Sequence, residues 1–349
     1  MTDPVSIQCP RPKNDYPRVV MAHGGGGRMT QELLEQIFLR SFDNAALNER
    51  EDAALLPPMH GRLAFSTDAY VVQPLFFPGG CIGDLAIHGT VNDLAMRGAK
   101  PLAISAAFIL EEGLDIETLQ RIVDAMAAAA KRVGVSVVTG DTKVVEKGHG
   151  DGCYIATSGI GEVRNGIDLS IRYANPGDAI VVNGNLGDHG MAILSHRAGM
   201  QFASPIVSDT APLYEFVAAM LDACPGIRCM RDPTRGGASA TLHEIAAASQ
   251  VGVELDEAAI PVHTAVQSAC DLFGLDPLAV ANEGKVIAIV PEDSVDCLLR
   301  AMRSHPLGQD TMRIGRIVAD ASHRVVMRTR LGTVRMIPMP AGEQLPRIC

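Results

Sequence analysis

The chain has 349 residues, more than one hydrophobic core usually supports, so two domains are predicted. The first residues hold no apolar stretch, and no later run approaches the ~20 apolar residues that cross a bilayer, so we expect a cytoplasmic protein without a membrane segment. A formal net charge of -10 excludes a nucleic-acid partner, because nucleic-acid phosphates attract basic surfaces.

The eight cysteines form no CxxC pair and no Cys/His array at zinc spacing. The pattern therefore argues against a disulfide framework and against a structural zinc site. Reduced thiols fit the expected cytoplasmic location.

Residues 1–18 contain several prolines and are predicted to be a mobile N-terminal lead, in which Cys9 has no assigned role. The segment HGGGGRMTQELLEQIFLRSF then predicts a glycine loop that runs into an amphipathic helix with Thr30 as its N-cap. Backbone N–H groups of such a loop can close on a phosphate, although HGGGGRMT lacks the Lys-Ser/Thr ending of a P-loop and fits a flexible linker equally well.

Strands and helices alternate over residues 19–170, which indicates an α/β layer. Strands are predicted over 62–72, 101–110, 135–145 and 154–163, and helices over 82–101 and 115–134, the second with Asp115 as N-cap and Gly134 as its stop. The pattern restarts near residue 170 and predicts a second domain over 171–334. Its predicted strands and helices lie within 175–199, 231–249, 282–290, 293–305 and 311–318.

Residues 335–349 hold several prolines and a glycine, so they can neither continue a helix nor donate a full strand ladder. They are predicted to form an extended, flexible tail. Cys349 ends this tail, and a thiol there contributes nothing to a core. The residues alone do not decide whether Cys349 is a functional thiol or an incidental one.

Four aspartates attract notice, at positions 52, 68, 93 and 141, and three of them interrupt or end the apolar runs LAFSTD, VNDLAM and VSVVTGD. Carboxylates at strand ends lie where α/β folds bind ligands, and Mg²⁺ prefers oxygen ligands, so the set favours a Mg-ATP site. For any one aspartate, helix capping or turn formation is the simpler interpretation.

Two further polar residues border apolar strands. Lys143 follows TGD and could hold a phosphoryl oxygen or a developing oxyanion, or could be a surface lysine. Glu283 precedes the strand of ANEGKVIAIV and could act as a base, although its own segment favours a solvated glutamate at the start of a strand.

Together these segments resemble the hydrogenase maturation factor HypE family, within the superfamily of PurM-like ATP-binding proteins. The resemblance covers nearly all of the chain from Ala22 onward. It rests on AHGGGGRM, FSTDAYVVQPLFFPGG, IGDLAIHGTVNDLAMRGAKP, FILEEG, VTGDTKVV, GNLGDHGMAI, RDPTRGG, ANEGKV and the terminal PRIC. PRIC is the most specific element, because other PurM-like enzymes have no use for a terminal cysteine.

The resemblance implies an α/β fold of the α+β type. Its N-terminal mixed-sheet domain forms the interface of a homodimer, a C-terminal α/β domain follows, and the chain ends in an extended tail. The implied nucleotide and Mg²⁺ residues are Gly24, Gly25, Gly26, Gly27, Asp52, Asp68, Asn92, Asp93 and Asp141, with Asp52, Asp68, Asp93 and Asp141 as the metal ligands. Lys143 and Glu283 are the implied catalytic pair, and Cys349 is the implied acceptor thiol.

The implied activity is ATP-dependent dehydration of a carbamoyl group on Cys349 to a thiocyanate. The carbamoyltransferase HypF would load the cysteine, and a HypC-HypD complex would receive the cyanide for the iron of a [NiFe]-hydrogenase. Two alternatives stay open at this point. One is another PurM-like synthetase or kinase, which leaves PRIC unexplained, and the other is a non-catalytic carrier of a group on Cys349.

Overall fold

The structure is a computed structural model that describes residues 16–200, 202–342 and 345–349. Most of the predicted N-terminal lead, including Cys9, lies outside these described residues. No helix in the described ranges is both long enough and apolar enough to cross a membrane.

The first described segment is a glycine loop followed by a series of short helical elements, where the sequence predicted a glycine loop and a helix. Its elements are a 3-10 turn at Met21–Gly24, α1 (Arg28–Leu33), a π-helical turn at Leu34–Phe38, α2 (Leu39–Phe42) and α3 (Ala45–Asn48). Thr30 is not the N-cap, which corrects the prediction. The helix begins earlier because Gly27 takes the extended N-cap conformation, and the Thr30 hydroxyl instead accepts a hydrogen bond from the Gly26 N–H at 2.9 Å.

A mixed four-stranded sheet forms the core of the N-terminal half. Its strands are β1 (Leu63–Tyr70), β4 (Ala99–Glu111), β5 (Ser136–Val145) and β6 (Cys153–Val163), in the order β1-β6-β4-β5. Strands β4 and β5 run parallel, and the other neighbours run antiparallel. A short ribbon of β2 (Phe76–Phe77) and β3 (Gly80–Cys81) lies outside this sheet.

Two helices, α4 (Ile82–Met96) and α5 (Ile116–Val133), contact the strands of this sheet. Helix α5 starts after Asp115 and stops at Gly134, as predicted, because glycine readily adopts the φ of +74° found there. Side chains of β1 alternate between the α4 side and the opposite side of the sheet. On that opposite side, here called the open face, Leu63, Phe65 and Ile109 are exposed to 51%, 69% and 42%.

A seven-stranded sheet organises the C-terminal half, in the order β13-β12-β9-β11-β7-β10-β8. Its strands are β7 (Ala179–Val182), β8 (Cys229–Arg231), β9 (Gly252–Asp256), β10 (Ile287–Val290), β11 (Met312–Val318), β12 (Val325–Arg328) and β13 (Val334–Met336). Its helices are α6 (Asp188–Arg197), α7 (Tyr214–Ala223), α8 (Gly237–Ser249), α9 (Thr264–Phe273) and α10 (Val295–Arg303). Six of these elements were not predicted from the sequence, namely α7, α9, β8, β9, β12 and β13.

The two sheets are joined by a shared core. The chain passes from the first sheet to the second between Val163 and Ala179, the interval that contains the predicted boundary at 170/171. The largest buried cluster combines residues of the N-terminal half with α6, α9 and the tail residues Leu345 and Ile348.

The tail differs from the predicted arm in two ways. Strand β13 extends to Met336, so the first residues assigned to the tail pair with β12. The last residues are packed against the protein, because the Val71 N–H donates to the Cys349 carbonyl at 3.1 Å and Ile348 is only 5% exposed. A short segment can form a few backbone hydrogen bonds without a full strand ladder. Proline content argues only against the ladder, so it did not predict these bonds.

Candidate active site

Asp68 and Asp93 lie on neighbouring elements that face each other. Asp68 projects from β1 towards α4, where the Thr90 hydroxyl donates to its Oδ2 at 3.1 Å. Asp93 lies on α4 and accepts a hydrogen bond of 2.5 Å from the Ser66 hydroxyl of β1. Burial, and then the charge of Asp93, raise the pKa of Asp68. The two carboxylates therefore repel each other in a place that favours a cation or a proton.

Two acidic residues of the C-terminal half complete this group. Burial, followed by the charge of Asp93, raises the pKa of Asp232, which belongs to the RDPTRGG loop before α8. Glu283, in the segment before β10, is 4% exposed, and burial together with neighbouring carboxylates raises its pKa well above the usual value. We call Asp68, Asp93, Asp232 and Glu283 the carboxylate cluster. The solvated position that local sequence favoured for Glu283 is wrong.

The backbone around Glu283 is held by a second buried acid, Asp209. Its Oδ1 accepts from the Glu283 N–H at 3.1 Å, and its Oδ2 accepts from the Gly284 N–H at 3.2 Å. Lys285 lies 3.2 Å from the same carboxylate. Burial raises the pKa of Asp209, but the charge of Lys285 and the hydrogen bond from the Glu283 N–H lower it, and the net pKa is lowered. Asp209 therefore stays ionised while it fixes the Glu283 backbone.

Asn92 also holds this backbone. Its Nδ2 donates to the carbonyls of Ala211 and Glu283 at 3.0 and 3.3 Å, and its Oδ1 accepts from the Leu213 N–H at 2.7 Å. Both polar atoms of the Asn92 side chain are thus engaged within the protein. The geometry supports a positioning role for Asn92, and its nucleotide contact stays a prediction.

The tail places Cys349 at the carboxylate cluster. Burial, and then the charge of Glu283, raise the pKa of the Cys349 thiol. Arg235 and Cys349 line the same cavity of about 710 Å³, and the positive charge of Arg235 partly offsets this rise. The structure therefore places the predicted acceptor thiol close to the predicted base.

The predicted cation Lys143 lies elsewhere. Lys143 and Asp141 form an exposed ion pair of 2.9 Å on β5, and the Lys143 bond lowers the pKa of Asp141. The glycine loop packs beside them, since a Cβ on Gly24 would lie 2.6 Å from the Val144 nitrogen. A cavity of about 390 Å³ adjoins this region, with Asp141 and Glu51 among its lining residues.

This second region is separated from the carboxylate cluster. Strands β1 and β5 are the two edges of the sheet, so Asp68 and Asp141 are three strand spacings apart, roughly 14 Å. Asp141 also belongs to the open face, opposite to Asp68, because its cross-strand row runs through Ala107 and Ala156 to Ala69. Within one chain, the structure does not bring Lys143 to Glu283.

The four predicted metal ligands are likewise not gathered in one place. Asp52 lies on an exposed bend before β1, and among the described residues no group of three or more His, Cys, Asp or Glu side chains forms a metal site. The expected strand-end positions are wrong for Asp68 and Asp141, since β1 continues to Tyr70 and β5 to Val145. The mutual repulsion of Asp68 and Asp93 nevertheless fits a cation whose other ligands are phosphate oxygens and water.

Three residues of this site were not singled out from the sequence. Asp232 lies in RDPTRGG and Lys285 lies in ANEGKV, two segments that the sequence analysis had already singled out for other residues. A charged residue near a glycine in these segments could have indicated both. Asp209 follows no recognisable pattern, because its function depends on contacts with residues far along the chain.

Comparisons with known proteins identify the family of both halves of the chain. Residues 50–163 match the N-terminal domain model of AIR synthase related proteins, and residues 175–328 match the C-terminal domain model. The chain is 52% identical over 351 residues to "Carbamoyl dehydratase HypE" of Cupriavidus necator, with all of both chains covered.

Solved structures give the same result. The crystal structure of hydrogenase maturation protein HypE in complex with ATP is 47% identical, has a TM-score of 0.91, and the match covers 95% of this chain and 99% of that one. A chain of a HypE-HypF complex is 47% identical with a TM-score of 0.78, and the match covers 88% of this chain and 99% of that one.

Proposed function

The chain belongs to the carbamoyl dehydratase HypE family, and we propose that it dehydrates an S-carbamoyl group on its own Cys349 to a thiocyanate with ATP as the dehydrating reagent. The proximity of the Cys349 thiol to the buried Glu283 side chain carries this proposal. It joins the residue that would hold the substrate to the residue that would accept its proton.

The chemistry requires a leaving group and a base. A carboxamide does not lose its oxygen as hydroxide at neutral pH, but the oxygen leaves as phosphate once ATP has phosphorylated it. Phosphorylation of the oxygen releases the first N–H proton to solvent and leaves a C=NH group. Glu283 accepts the second N–H proton as the C–O bond breaks, and the C≡N bond forms with the sulfur still attached to Cys349. The raised pKa of Glu283 suits this base, because its carboxylate accepts a proton more readily than a solvated glutamate does.

The carboxylate cluster and the glycine loop suit a magnesium nucleotide. We assign the metal to Asp68 and Asp93, whose proximity disfavours two unpaired negative charges. Mg²⁺ would supply charge neutralisation on phosphate oxygens during phosphoryl transfer. Asp141 lines the 390 Å³ cavity, and Gly24 packs beside Val144 on the same strand. We assign Asp141, Gly24 to Gly27 and Asp52 to the rest of the nucleotide site.

A homodimer would unite the two separated regions. The open face exposes Leu63, Phe65 and Ile109, and a face of this kind is commonly covered by another layer. If two copies pack open face to open face about a two-fold axis, β5 of one copy can approach β1 of the other. Lys143 of the second copy could then reach the phosphoryl oxygens next to Asp68.

The partners follow from the family. A HypE-HypF complex is known among the similar structures, so we assign the loading of Cys349 to a HypF carbamoyltransferase. A HypC-HypD complex is the proposed acceptor of the cyanide for the iron of a [NiFe]-hydrogenase. The seven described cysteines are unpaired thiols, which supports a reducing, cytoplasmic setting.

Coupled ATP hydrolysis tests this function. Phosphate release is measured for the protein with Cys349 either free or carbamoylated, at saturating ATP and Mg²⁺. The proposal expects release of one phosphate per chain only when Cys349 carries the carbamoyl group. Equal hydrolysis in both forms, or none in the carbamoylated form, would leave the chain as a carrier and contradict the enzymatic assignment.

A further inference from the structure

Helix α6 contacts the docked tail at two points. Neither point belongs to the carboxylate cluster or to the nucleotide region. His189 and Arg197 stand eight positions apart on α6 (Asp188–Arg197), close to two helical turns, so both project from one side of it. Between them the helix approaches the tail closely, because a Cβ on Gly190 would lie 3.0 Å from Leu345 Cδ1.

The Arg197 guanidinium binds backbone carbonyls of two chain segments. It donates to the Pro346 carbonyl at 2.9 Å and to the Arg347 carbonyl at 2.8 Å, both in the tail. It also donates twice to the Gln73 carbonyl, at 3.0 and 2.6 Å. The Gln73 N–H in turn donates to the Arg347 carbonyl at 3.1 Å. Arg197 therefore fastens the tail to the segment that follows β1.

The second point of attachment is buried. The Thr210 N–H donates to Ser208 Oγ at 3.2 Å, and Ser208 Oγ lies 2.7 Å from His189 Nδ1. His189 Nε2 lies 2.6 Å from the Ile348 carbonyl, which can only accept, so His189 carries its proton on Nε2 and donates it there. Burial lowers the pKa of His189, and the ring acts as a neutral donor.

The same short segment thus serves both reacting groups. Ser208 orients His189, which holds the carbonyl next to Cys349, and Asp209 holds the backbone of Glu283. A shift of the tail by one residue would remove the thiol from Glu283 and would break these bonds together.

We propose that Arg197 and His189 are positioning residues that form a two-point latch on the tail and so set the fraction of time that Cys349 spends at Glu283. This inference rests on the proposed dehydration for its consequence but not for its geometry. Weakening the latch should have opposite effects on two reactions of the same sulfur. The thiol becomes more accessible to external reagents, and the carbamoyl group on it is dehydrated more slowly.

Arg197→Ala is the main test variant, because Arg197 is exposed and its removal leaves the core intact. The full-length dimeric protein is treated with iodoacetamide, and labelling of Cys349 is followed by mass spectrometry of the peptide 344–349 released by cleavage after Glu343. Loss of charged hydrogen bonds to three carbonyls should raise the labelling rate roughly tenfold or more. Arg197→Lys, which keeps the charge but not the fork geometry, should lie between Arg197→Ala and the wild type.

Single-turnover dehydration of the pre-carbamoylated protein is the second measurement, and it should slow by a similar factor in Arg197→Ala. His189→Gln, which keeps an N–H donor near the Nε2 position, should retain more of both properties than His189→Ala. Arg313→Ala is the matched control. Arg313 lies on β11 and pairs with Glu292, and this ion pair does not involve the tail.

Unchanged Cys349 labelling in Arg197→Ala would overturn the latch. Faster labelling with an unaltered dehydration rate would overturn the positioning role. If the wild-type protein itself fails to dehydrate, the proposed function fails, while the labelling rates still decide whether the latch exists.

Discussion

The thiol of Cys349 lies close to the carboxyl group of Glu283, and burial together with the charge of Glu283 raises the pKa of this thiol. Glu283 is buried and faces the negative charges of Asp209, Asp232 and Asp68, so its proton is held more tightly than in water. The carboxylate form of such an acid is unfavourable, and it therefore accepts a proton from a weakly acidic amide more readily than a solvated carboxylate does.

Glu283→Gln should stall the reaction without changing the shape of the site. The neutral amide fills the same volume but cannot accept the N–H proton, and a base typically contributes a rate factor of ~10² to 10⁴. Single-turnover conversion of carbamoylated protein, followed by mass, measures the chemical step, and ATP binding should stay normal. Near-wild-type conversion would remove Glu283 from the role of base.

The same substitution should change how stability depends on pH. The raised pKa means that folded wild-type protein binds this proton more tightly than the unfolded chain does, so stability falls as pH rises from the usual glutamate range through the raised value. Glutamine binds no proton and lacks this fall. The free energy of unfolding is measured with urea at pH 5 and at pH 8 in metal-free buffer. Its decrease between the two pH values should be smaller for Glu283→Gln than for the wild type, by about 1 kcal/mol or more. An equal or larger loss would contradict the buried-acid account.

Asp93→Asn and Asp141→Asn should lose Mg-ATP turnover for electrostatic reasons. Each amide keeps the volume of the side chain and loses its charge. Asp93→Asn also relieves repulsion with Asp68, so its unfolding free energy should not fall, whereas Asp141→Asn gives up an exposed ion pair worth at most about 1 kcal/mol. Asp296→Asn, on the exposed side of α10, serves as the control. Wild-type turnover in either variant would exclude that aspartate from the nucleotide site.

Phe65→Asp should weaken association of the two copies. Phe65 is 69% exposed on the open face, and a charge there would have to be desolvated if that face is an interface. Sedimentation should show a shift to monomer, accompanied by loss of turnover, because Lys143 of the second copy would no longer be available. Leu331→Asp, at a position that is 92% exposed in the C-terminal half, should leave the dimer intact. A dimer that persists in Phe65→Asp would contradict the assignment of this face.

The sequence predicted local structure better than it predicted the meeting of distant residues. The start and stop of α5 follow from Asp115 and Gly134, whose effects are confined to neighbouring backbone. The burial of Glu283 was mispredicted because it depends on Asp209 and Asn92, which local composition does not reveal. Short strands such as β8 and β12 carry too few residues for periodicity to register.

The docked tail shows the same limit. Prolines correctly predicted that the described residues of the tail, 335–342 and 345–349, form neither a helix nor a long strand. They did not predict that Arg197 and His189 would bind the end of the tail. Those bonds use backbone carbonyls, which every residue has, so no side-chain pattern in the tail marks them. The carboxylates of Asp68 and Asp93 were found from sequence, while their separation from Asp141 became visible only in the strand order.

The most direct test of the account is the mass of Cys349 during one turnover. Protein carbamoylated on Cys349 is mixed with ATP and Mg²⁺, and the peptide 344–349 is analysed over time beside the Cys349→Ala variant, which should fold and bind ATP but form no product. The account predicts that the modified wild-type peptide loses the mass of one water molecule as ATP is converted to ADP and phosphate. A carbamoyl group that survives ATP hydrolysis, or a thiocyanate that forms on the Cys349→Ala protein, would contradict it.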